Sequence, residues 1–210
     1  MNKHPKLILH LEGPLQSYGE NSKWEHRDTS MLPTKSSIVG LIGCALGIPR
    51  GDNKLIEISQ GIKMAVRADR AGSILREYQT ITGELYNADG KLLGTRANPN
   101  STKISHRQFL EDAYFTVILE GRIELLEEIV NGLENPRWQI YLGRKNCVPS
   151  RPLLGGISYE YDNLDDAIRG VPLSERHDKS IIYQIEDIDG NVVRYDETLA
   201  DTGMKYARRT

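Results

Sequence analysis

A basic loop at residues 142–152 has the residue types of an anion-binding site. It carries Arg144, Lys145 and Arg151 and contains no acidic residue. One glycine and two prolines exclude this stretch from a regular helix or a central strand, so its backbone N–H groups are free to face a ligand. Phosphate is the ligand that such a loop would bind. A solvated surface loop is the alternative, because charged turns are common on protein surfaces.

The charge of the whole chain shows no excess of cations, so a nucleic-acid surface would require segregated basic residues. The 210 residues include 27 Lys and Arg against 29 Asp and Glu, a formal net charge of −2. Basic residues without an acid occupy 96–107 and 137–151, whereas acids gather at 124–134 and 160–166. Single runs of this kind are usually solvated faces, but the coincidence of two favours a surface for nucleic acid.

Cysteine and histidine usage argues against a metal or redox site. The two cysteines, Cys44 and Cys147, are far apart and form no CxxC motif, and the five histidines show no ligand spacing. The first residues contain no apolar signal core, and no apolar stretch is long enough to span a bilayer. We therefore expect a cytoplasmic protein with reduced thiols, without a metal, cofactor or membrane segment.

The N-terminal part of the chain predicts a strand followed by a long polar loop. Leucines stand at every second position of 6–11, which is the period of a strand with one buried face. Residues 16–37 then form a loop that is longer than most connections, and such loops often carry function. Its Tyr18 and Trp24 could stack on nucleotide bases or could cover the hydrophobic core.

Residues 36–47 have the strongest helical pattern in the sequence. Apolar side chains recur at positions i, i+3, i+4, i+7 and i+8, Thr34 or Ser36 can cap the start, and Gly47 ends the helix. With Lys35 beside them, the two hydroxyls lie where free N–H groups and the helix dipole favour a phosphate. The glycine that a P-loop needs upstream is absent, which argues against an NTPase.

The remaining elements complete a β-α-β, insertion, β-α-β order. This is the ferredoxin-like, split-βαβ plan of RNA-recognition modules, with two helices on one sheet face and the other face open. A projecting β-hairpin that turns at Asp89-Gly90 is the insertion, and a second hairpin is predicted around Asp189-Gly190-Asn191. The other predicted elements are strands at 61–69 and 113–120, a helix at 124–133, a fourth strand or its approach at 138–142, and the strands of the second hairpin at 181–185 and 192–195.

We therefore expect an α+β chain built on one ferredoxin-like domain. The domain is predicted to span residues 1–156, with the projecting hairpin inserted at 76–107. Residues 157–210 form a C-terminal β-hairpin extension that packs on the same domain. A fold of this kind is shared by unrelated proteins and does not by itself imply a function.

Seven short segments, taken in order, resemble the CasD family of CRISPR-associated proteins, and their spacing is most like the type I-E branch. The resemblance extends to about residue 156. The segments are LHLEGPLQSYG at 9–19, Arg27-Asp28-Thr29 with Pro33-Thr34-Lys35-Ser36, GLIGCALGI at 40–48, Tyr78-Gln79-Thr80, Ile104-Ser105-His106-Arg107, DAYF at 112–115 and YLGRKNC at 141–147.

This resemblance implies the "Cas five" subunit of a Cascade surveillance complex, which caps one end of the complex and holds the 5′ handle of the CRISPR RNA. The implied partners are that RNA, an adjacent backbone subunit, the large subunit, and target DNA only through the assembled complex. The 76–107 insertion would be a thumb. The RNA-binding residues that the resemblance implies are Gly143, Arg144, Lys145 and Asn146 in the basic loop. From the second basic run and the long polar loop we add, as expected RNA-binding residues, Lys103, Arg107, Gln16, Tyr18, Arg27, Lys35 and Ser36.

Two alternatives to a non-catalytic RNA-binding subunit stay open. Another branch of the family cuts the precursor RNA, and a metal-free ribonuclease needs an acid, a base and a cation around the scissile phosphate. His106, Lys103 and Tyr78 are the candidates for that chemistry, although His106 could equally be a phosphate contact or a plain surface residue. The other alternative is a protein-interaction module that binds no RNA.

Overall fold

The computed structural model describes residues 4–23, 25–82, 86, 89–91, 102–187, 189–190, 194–198 and 206–209. No helix in these ranges is long and apolar enough to cross a bilayer. The described strands are β1 Lys6–Glu12, β2 Leu15–Gln16, β3 His26–Arg27, β4 Ile62–Arg70, β5 Ser73–Ile81, β6 Lys103–Glu111, β7 Tyr114–Gly121, β8 Leu154–Ser158, β9 Ile182–Ile185, β10 Arg194–Thr198 and β11 Tyr206–Arg209; the helices are α1 Lys35–Leu46, α2 Asn53–Gly61, α3 Ile123–Glu134 and α4 Leu164–Gly170.

The main sheet is antiparallel and has the strand order β8-β1-β7-β4-β9. The predicted strands at 6–11, 61–69 and 113–120 are confirmed as β1, β4 and β7. Alternate leucines of β1 are fully buried in one core cluster with the inner faces of α1 and α3. Each such burial stabilises the fold by about 1.5–3 kcal/mol, so these alternating leucines fix which face of the sheet is covered.

Helix α1 begins and ends where its sequence predicts. Thr34, rather than Ser36, is the cap, because its hydroxyl oxygen accepts a hydrogen bond from Ser37 N at 3.3 Å. At the other end Gly47 adopts φ +71°, a left-handed conformation that glycine tolerates. Helix α3 confirms the helix predicted at 124–133.

Helix α2 was not predicted. Asp52 caps it by accepting a hydrogen bond from Lys54 N at 2.9 Å, and its buried side chains include Leu55 and Ile58. An acidic cap followed by apolar residues three apart indicates a helix. In this segment the apolar pattern repeats only once, which is too short to predict a helix from the sequence.

The second face of the main sheet is not open, which corrects the sequence prediction. Helix α4 buries Ala65 of β4 and Ile118 of β7 in a second core cluster. Beside this cluster, Arg67 Nε donates to Asp69 Oδ1 at 2.6 Å, and both side chains are almost fully buried. Arg67 also donates to three backbone carbonyls between residues 168 and 172, so the C-terminal part is fastened to β4.

The strand pair of the predicted hairpin is present as β5 and β6. The two strands pair antiparallel from Ser73↔Glu111 to Ile81↔Lys103, so the paired region begins before 76 and ends after 107. Strands β2 and β3 join β6 at the base of the hairpin. Gly90, in the predicted turn, has φ +75°, and most residues around it lie outside the described part of the chain.

One predicted strand and one predicted strand pairing are wrong. Residues 138–142 are irregular, because Leu142 N donates to Cys147 O at 2.7 Å and closes a loop; the first strand after α3 is β8. The basic loop therefore precedes that strand rather than following it. In the C-terminal part the strand predicted at 181–185 is present as β9, but it pairs with β4, and β10 pairs with β11. Among the described residues, β9 and β10 therefore do not pair as the predicted hairpin. The unpaired edge of β4 accepts β9 instead.

Candidate nucleic-acid interface

The basic loop is folded tightly on the segment after β1. Leu142 and Cys147 are fully buried, and burial raises the pKa of the Cys147 thiol. Gly143 has φ +94°, and a Cβ at this position would overlap the carbonyl oxygen of Ser17. Only glycine permits this approach. Gly143 therefore shapes the loop, while Lys145 and Asn146 at its tip are exposed.

The Arg144 guanidinium donates hydrogen bonds to backbone carbonyls within the protein. Its Nη1 donates to Gln108 O at 3.2 Å, and its Nη2 donates to Arg27 O at 3.0 Å and Asp28 O at 3.1 Å. The guanidinium also lies 4.7 Å from the centre of the Phe109 ring. Burial lowers the pKa of Arg144, yet a guanidinium stays charged near neutral pH. Arg144 thus ties the basic loop to β6 and to β3.

We call these contacts of Arg144 with β3 and β6 the Arg144 clamp, and the two basic runs of the sequence meet there. Arg27 and Arg107 lie opposite each other on the parallel pair β3 and β6, and their charges help to lower the pKa of Arg144 after the larger effect of burial. Arg107 Nε is buried without a hydrogen-bond partner among the described residues. Lys145 is exposed and makes no hydrogen bond or ion pair with another described residue. Arg107 and Lys145 are therefore among the cations of this region that are available to an anion.

Lys35 lies inside the protein, although it is expected to contact a phosphate. It is 3% exposed, and its Nζ is 2.8 Å from Glu186 Oε1. Glu186 also accepts a hydrogen bond from Met64 N at 3.1 Å. Lys35 therefore joins the start of α1 to the segment after β9 instead of presenting its charge to solvent. Ser36 is half-buried, with its hydroxyl 3.2 Å from that of Thr34.

Gln16 and Tyr18 are also interior residues. Gln16 Nε2 donates to Leu11 O at 3.1 Å and to Ala113 O at 2.8 Å, and its Oε1 accepts from Tyr18 OH at 2.6 Å. Burial raises the pKa of Tyr18 well above its usual range, and its ring meets Phe115 edge-on at 6.0 Å. Both side chains hold the chain that carries the basic loop, and neither is exposed.

An aromatic cluster occupies one face of the hairpin base. The rings of His26 and His106 stack with centroids 5.2 Å apart, and Tyr78 meets His106 edge-on at 5.4 Å. Lys103 is three residues from His106 on the same strand, so the two side chains point to opposite faces. The three candidate catalytic residues do not form one group. His26 was missed because only the parallel pairing of β3 with β6 brings it here.

A cavity of about 630 Å³ lies beside the basic loop and was not predicted. It extends from the basic loop to α1 and the segment after α3. Its lining includes Gly143, Lys145, Ser36, Gly40, Trp138 and Tyr141. No group of three or more metal-binding side chains occurs in the described ranges. The site thus combines available cations with a neighbouring ring-lined space, which suits a phosphate-linked aromatic ligand.

Comparison with known proteins identifies a family and relatives of nearly equal length. The family model described as "CRISPR-associated protein (Cas_Cas5)" matches residues 6–210. The chain is 29% identical over 218 residues to "CRISPR system Cascade subunit CasD" of Escherichia coli (strain K12), covering 97% of this chain and 92% of that protein.

Two solved structures share this architecture. "Crystal structure of Cas protein" superimposes with a TM-score of 0.71 and 33% identity, covering 97% of this chain and 91% of that chain. A chain of "CRISPR RNA-guided surveillance complex" superimposes with a TM-score of 0.69 and 28% identity, covering 97% of this chain and 87% of that chain.

Proposed function

The chain belongs to the CRISPR-associated Cas5 family, and on that premise we propose that it is a non-catalytic subunit of a Cascade-type antiviral complex. In this role it holds the 5′ handle of the CRISPR RNA and caps one end of the complex. The observation that carries the proposal is the meeting of two basic runs where Arg144 reaches β6 beside Arg107, with the exposed Lys145 next to Arg144 in the chain. The printed names of its relatives, a Cascade subunit and a chain of an RNA-guided surveillance complex, support it.

The site suits a single-stranded RNA backbone. Proteins bind such strands with cations that follow the phosphates and with rings that stack on splayed bases. Arg107 is half-buried, and its Nε has no hydrogen-bond acceptor among the described residues, so its charge is not committed to a carboxylate there. Lys145 adds an exposed cation in the neighbouring loop. Arg27, Lys103 and Asn146 extend the proposed surface, and Arg144 holds its parts together.

The buried residues of the predicted site hold the RNA-binding surface in place through contacts within the protein. Gln16 and Tyr18 support the chain beneath the basic loop, and Gly143 allows the loop to approach it. Lys35, through its pair with Glu186, fixes the start of α1. In this proposal these four residues, together with half-buried Ser36, shape the pocket and do not bind phosphates themselves.

We further infer that the fold is ferredoxin-like. Strands β8, β1, β7 and β4 lie in that order and are antiparallel, with helices in the β1–β4 and β7–β8 connections, as the split-βαβ plan requires. The β5–β6 hairpin, inserted between β4 and β7, would be the thumb. The proposed domain limits remain 1–156 for the core and 157–210 for the extension.

The proposed partners are the CRISPR RNA, an adjacent backbone subunit and the large subunit, with target DNA met only through the assembled complex in the cytoplasm. A direct test is to express the chain with its operon neighbours and purify the assembly. RNA of a defined length should copurify with it. A purified assembly that contains no RNA would instead favour a protein-interaction module.

The proposed contacts are tested on the isolated chain with a fluorescently labelled RNA of the 5′ handle sequence. Arg107→Gln and Lys145→Gln should each weaken binding, and each should reduce the slope of log affinity against log salt by about 0.7, the value for one phosphate contact on a single strand. Lys63→Gln and Arg122→Gln are matched controls, since both residues are exposed and lie outside the basic loop and the hairpin. Equal effects of all four changes would refute a localised site.

A further inference from the structure

Gly40 stands in the interior of α1, where none of the described residues gives a reason for a glycine. Glycine is less favourable than alanine in a helix interior. A Cβ added at Gly40 would meet no atom of the described residues within 4 Å, whereas one at Gly43 of the same helix would lie 2.7 Å from Leu55 Cδ2. Packing therefore accounts for Gly43 and not for Gly40. Because Gly40 lines the cavity, the space beside it is free for a ligand to approach the helix.

Trp138 lies across the same cavity and is held by its backbone. Trp138 N donates to Cys44 O at 3.2 Å, and Arg137 N donates to Ala45 O at 2.9 Å, so this segment is fixed on the end of α1. The Trp138 side chain is nevertheless 46% exposed and makes no ring contact with another described residue. A fixed backbone with an exposed indole ring is suited to stacking on a flat ligand.

The polar groups around the rings suit a nucleotide. Tyr141 also lines the cavity, where its hydroxyl accepts a hydrogen bond from Cys44 Sγ at 3.8 Å. Gln139 lines it with an exposed amide that has no hydrogen bond to another described residue, so it can both donate to and accept from a base edge. Lys145 and Arg50 add exposed cations to the lining.

We propose that this cavity binds one splayed nucleobase of the RNA, stacked on the Trp138 ring, with its phosphate at Lys145 and its edge against α1 at Gly40. The volume of about 630 Å³ falls in the range of roughly 300–1,000 Å³ that small-ligand sites occupy. Lys145 belongs both to the cavity and to the proposed phosphate surface, so a strand bound there can place a base in the cavity. The inference rests on the proposed function and adds a base-binding subsite to it.

The test is an abasic scan of the handle RNA, in which one base at a time is removed while the backbone is kept. With wild-type protein, removal at one position should weaken binding by roughly fivefold to a hundredfold, the range for one stacked base. Trp138→Ala should weaken binding of the intact RNA by a similar factor. On the RNA that lacks this base, Trp138→Ala and wild-type protein should bind with equal affinity, because the substitution and the base removal abolish the same interaction.

The Gly40→Ala variant distinguishes loss of space in the cavity from loss of helix stability, because it should have opposite effects on RNA binding and on the melting temperature. The added methyl group should weaken binding of the intact RNA by about tenfold, since it occupies space that the base needs. The same change should raise the melting temperature by about 1–4 °C, because alanine favours the helix. Asn131→Ala, at an exposed position inside α3, is the control and should leave RNA binding unchanged.

A spectroscopic readout needs only the folded chain. The sequence has two tryptophans, so in a Trp24→Phe variant the fluorescence comes from Trp138 alone. Handle RNA should quench this fluorescence, and RNA without the responsive base should not.

The failure of this inference differs from failure of the proposed function. If wild-type protein binds the handle but Gly40→Ala and Trp138→Ala bind it equally well, the base pocket is refuted and the function stands. If wild-type protein does not bind the handle even at low salt, both are refuted.

Discussion

Arg144 provides the sharpest test of the structure, because it and Lys145 are adjacent cations with different environments. Replacing Arg144 with Gln removes its three hydrogen bonds to backbone carbonyls and its contact with the Phe109 ring. The basic loop then loses its attachment to β3 and β6. Lys145→Gln removes the same charge one residue later but breaks no bond with another described residue. It is therefore the matched control.

The size of the effect follows from these contacts. A hydrogen bond from a charged donor contributes about 1.5–3 kcal/mol, and a cation–π contact at an exposed site about 0.5–1 kcal/mol. Because Arg144 is half-buried and water can replace part of the lost bonding, we expect a total loss of about 2–4 kcal/mol rather than the sum. For a chain of this size that lowers the melting temperature by roughly 4–16 °C. Lys145→Gln should change stability by less than about 0.5 kcal/mol.

The assay is thermal unfolding followed by circular dichroism, together with hydrogen exchange in residues 143–147. Exchange in this loop should accelerate in Arg144→Gln and not in Lys145→Gln. Arg144→Lys should fail to restore stability, because an ammonium cannot reach all three carbonyls as the guanidinium fork does. If Arg144→Gln melts like the wild type and lowers only the salt dependence of RNA binding, then Arg144 is a phosphate ligand and the clamp is refuted.

Three further predictions concern other parts of the molecule. Arg67→Ala should lower the free energy of unfolding by about 3–5 kcal/mol in a denaturant titration, because it leaves the buried Asp69 carboxylate unpaired; an unchanged midpoint would contradict this role. Burial lowers the pKa of His10, so the unfolded chain binds its proton first and stability should fall as the pH drops below 6.5. His10→Asn should flatten this decline, and a curve as steep as that of the wild type would point to other groups. A single-turnover assay on repeat-containing RNA should show no cleavage, whereas a product from the wild type and none from His106→Ala would identify an endoribonuclease.

Local periodicity was sufficient to predict the central elements of the fold. Strands β1, β4 and β7 alternate apolar residues with period two, and α1 and α3 repeat them with the period of a helix. These patterns arise from neighbours in sequence, so they can be read without knowing the partners. The edges of the sheet could not be predicted in this way. Strands β8 and β9 are short, and their places depend on which backbone edge β1 and β4 leave open.

The composition of the candidate site was predictable in outline. The two acid-free basic runs were visible in the sequence, and the structure brings them together where β3 pairs with β6 and Arg144 reaches across. The interior positions of Lys35, Gln16 and Tyr18 were not predictable as a set. Each has a polar group that would suit RNA, and only the surrounding strands show that these groups are satisfied within the protein.

The sequence by itself determined that residues 142–152 form an irregular loop, because of its glycine and prolines, and that this loop carries basic residues and no acidic residue. Tertiary structure decided which cation is free. Arg144 and Lys145 have the same charge and are adjacent in the chain. Only Arg144 of the two donates hydrogen bonds to the carbonyl oxygens of residues 27, 28 and 108. Those oxygens come from segments far away in the sequence. Their distances are set by strand pairing and core packing, which residue type and spacing do not encode locally.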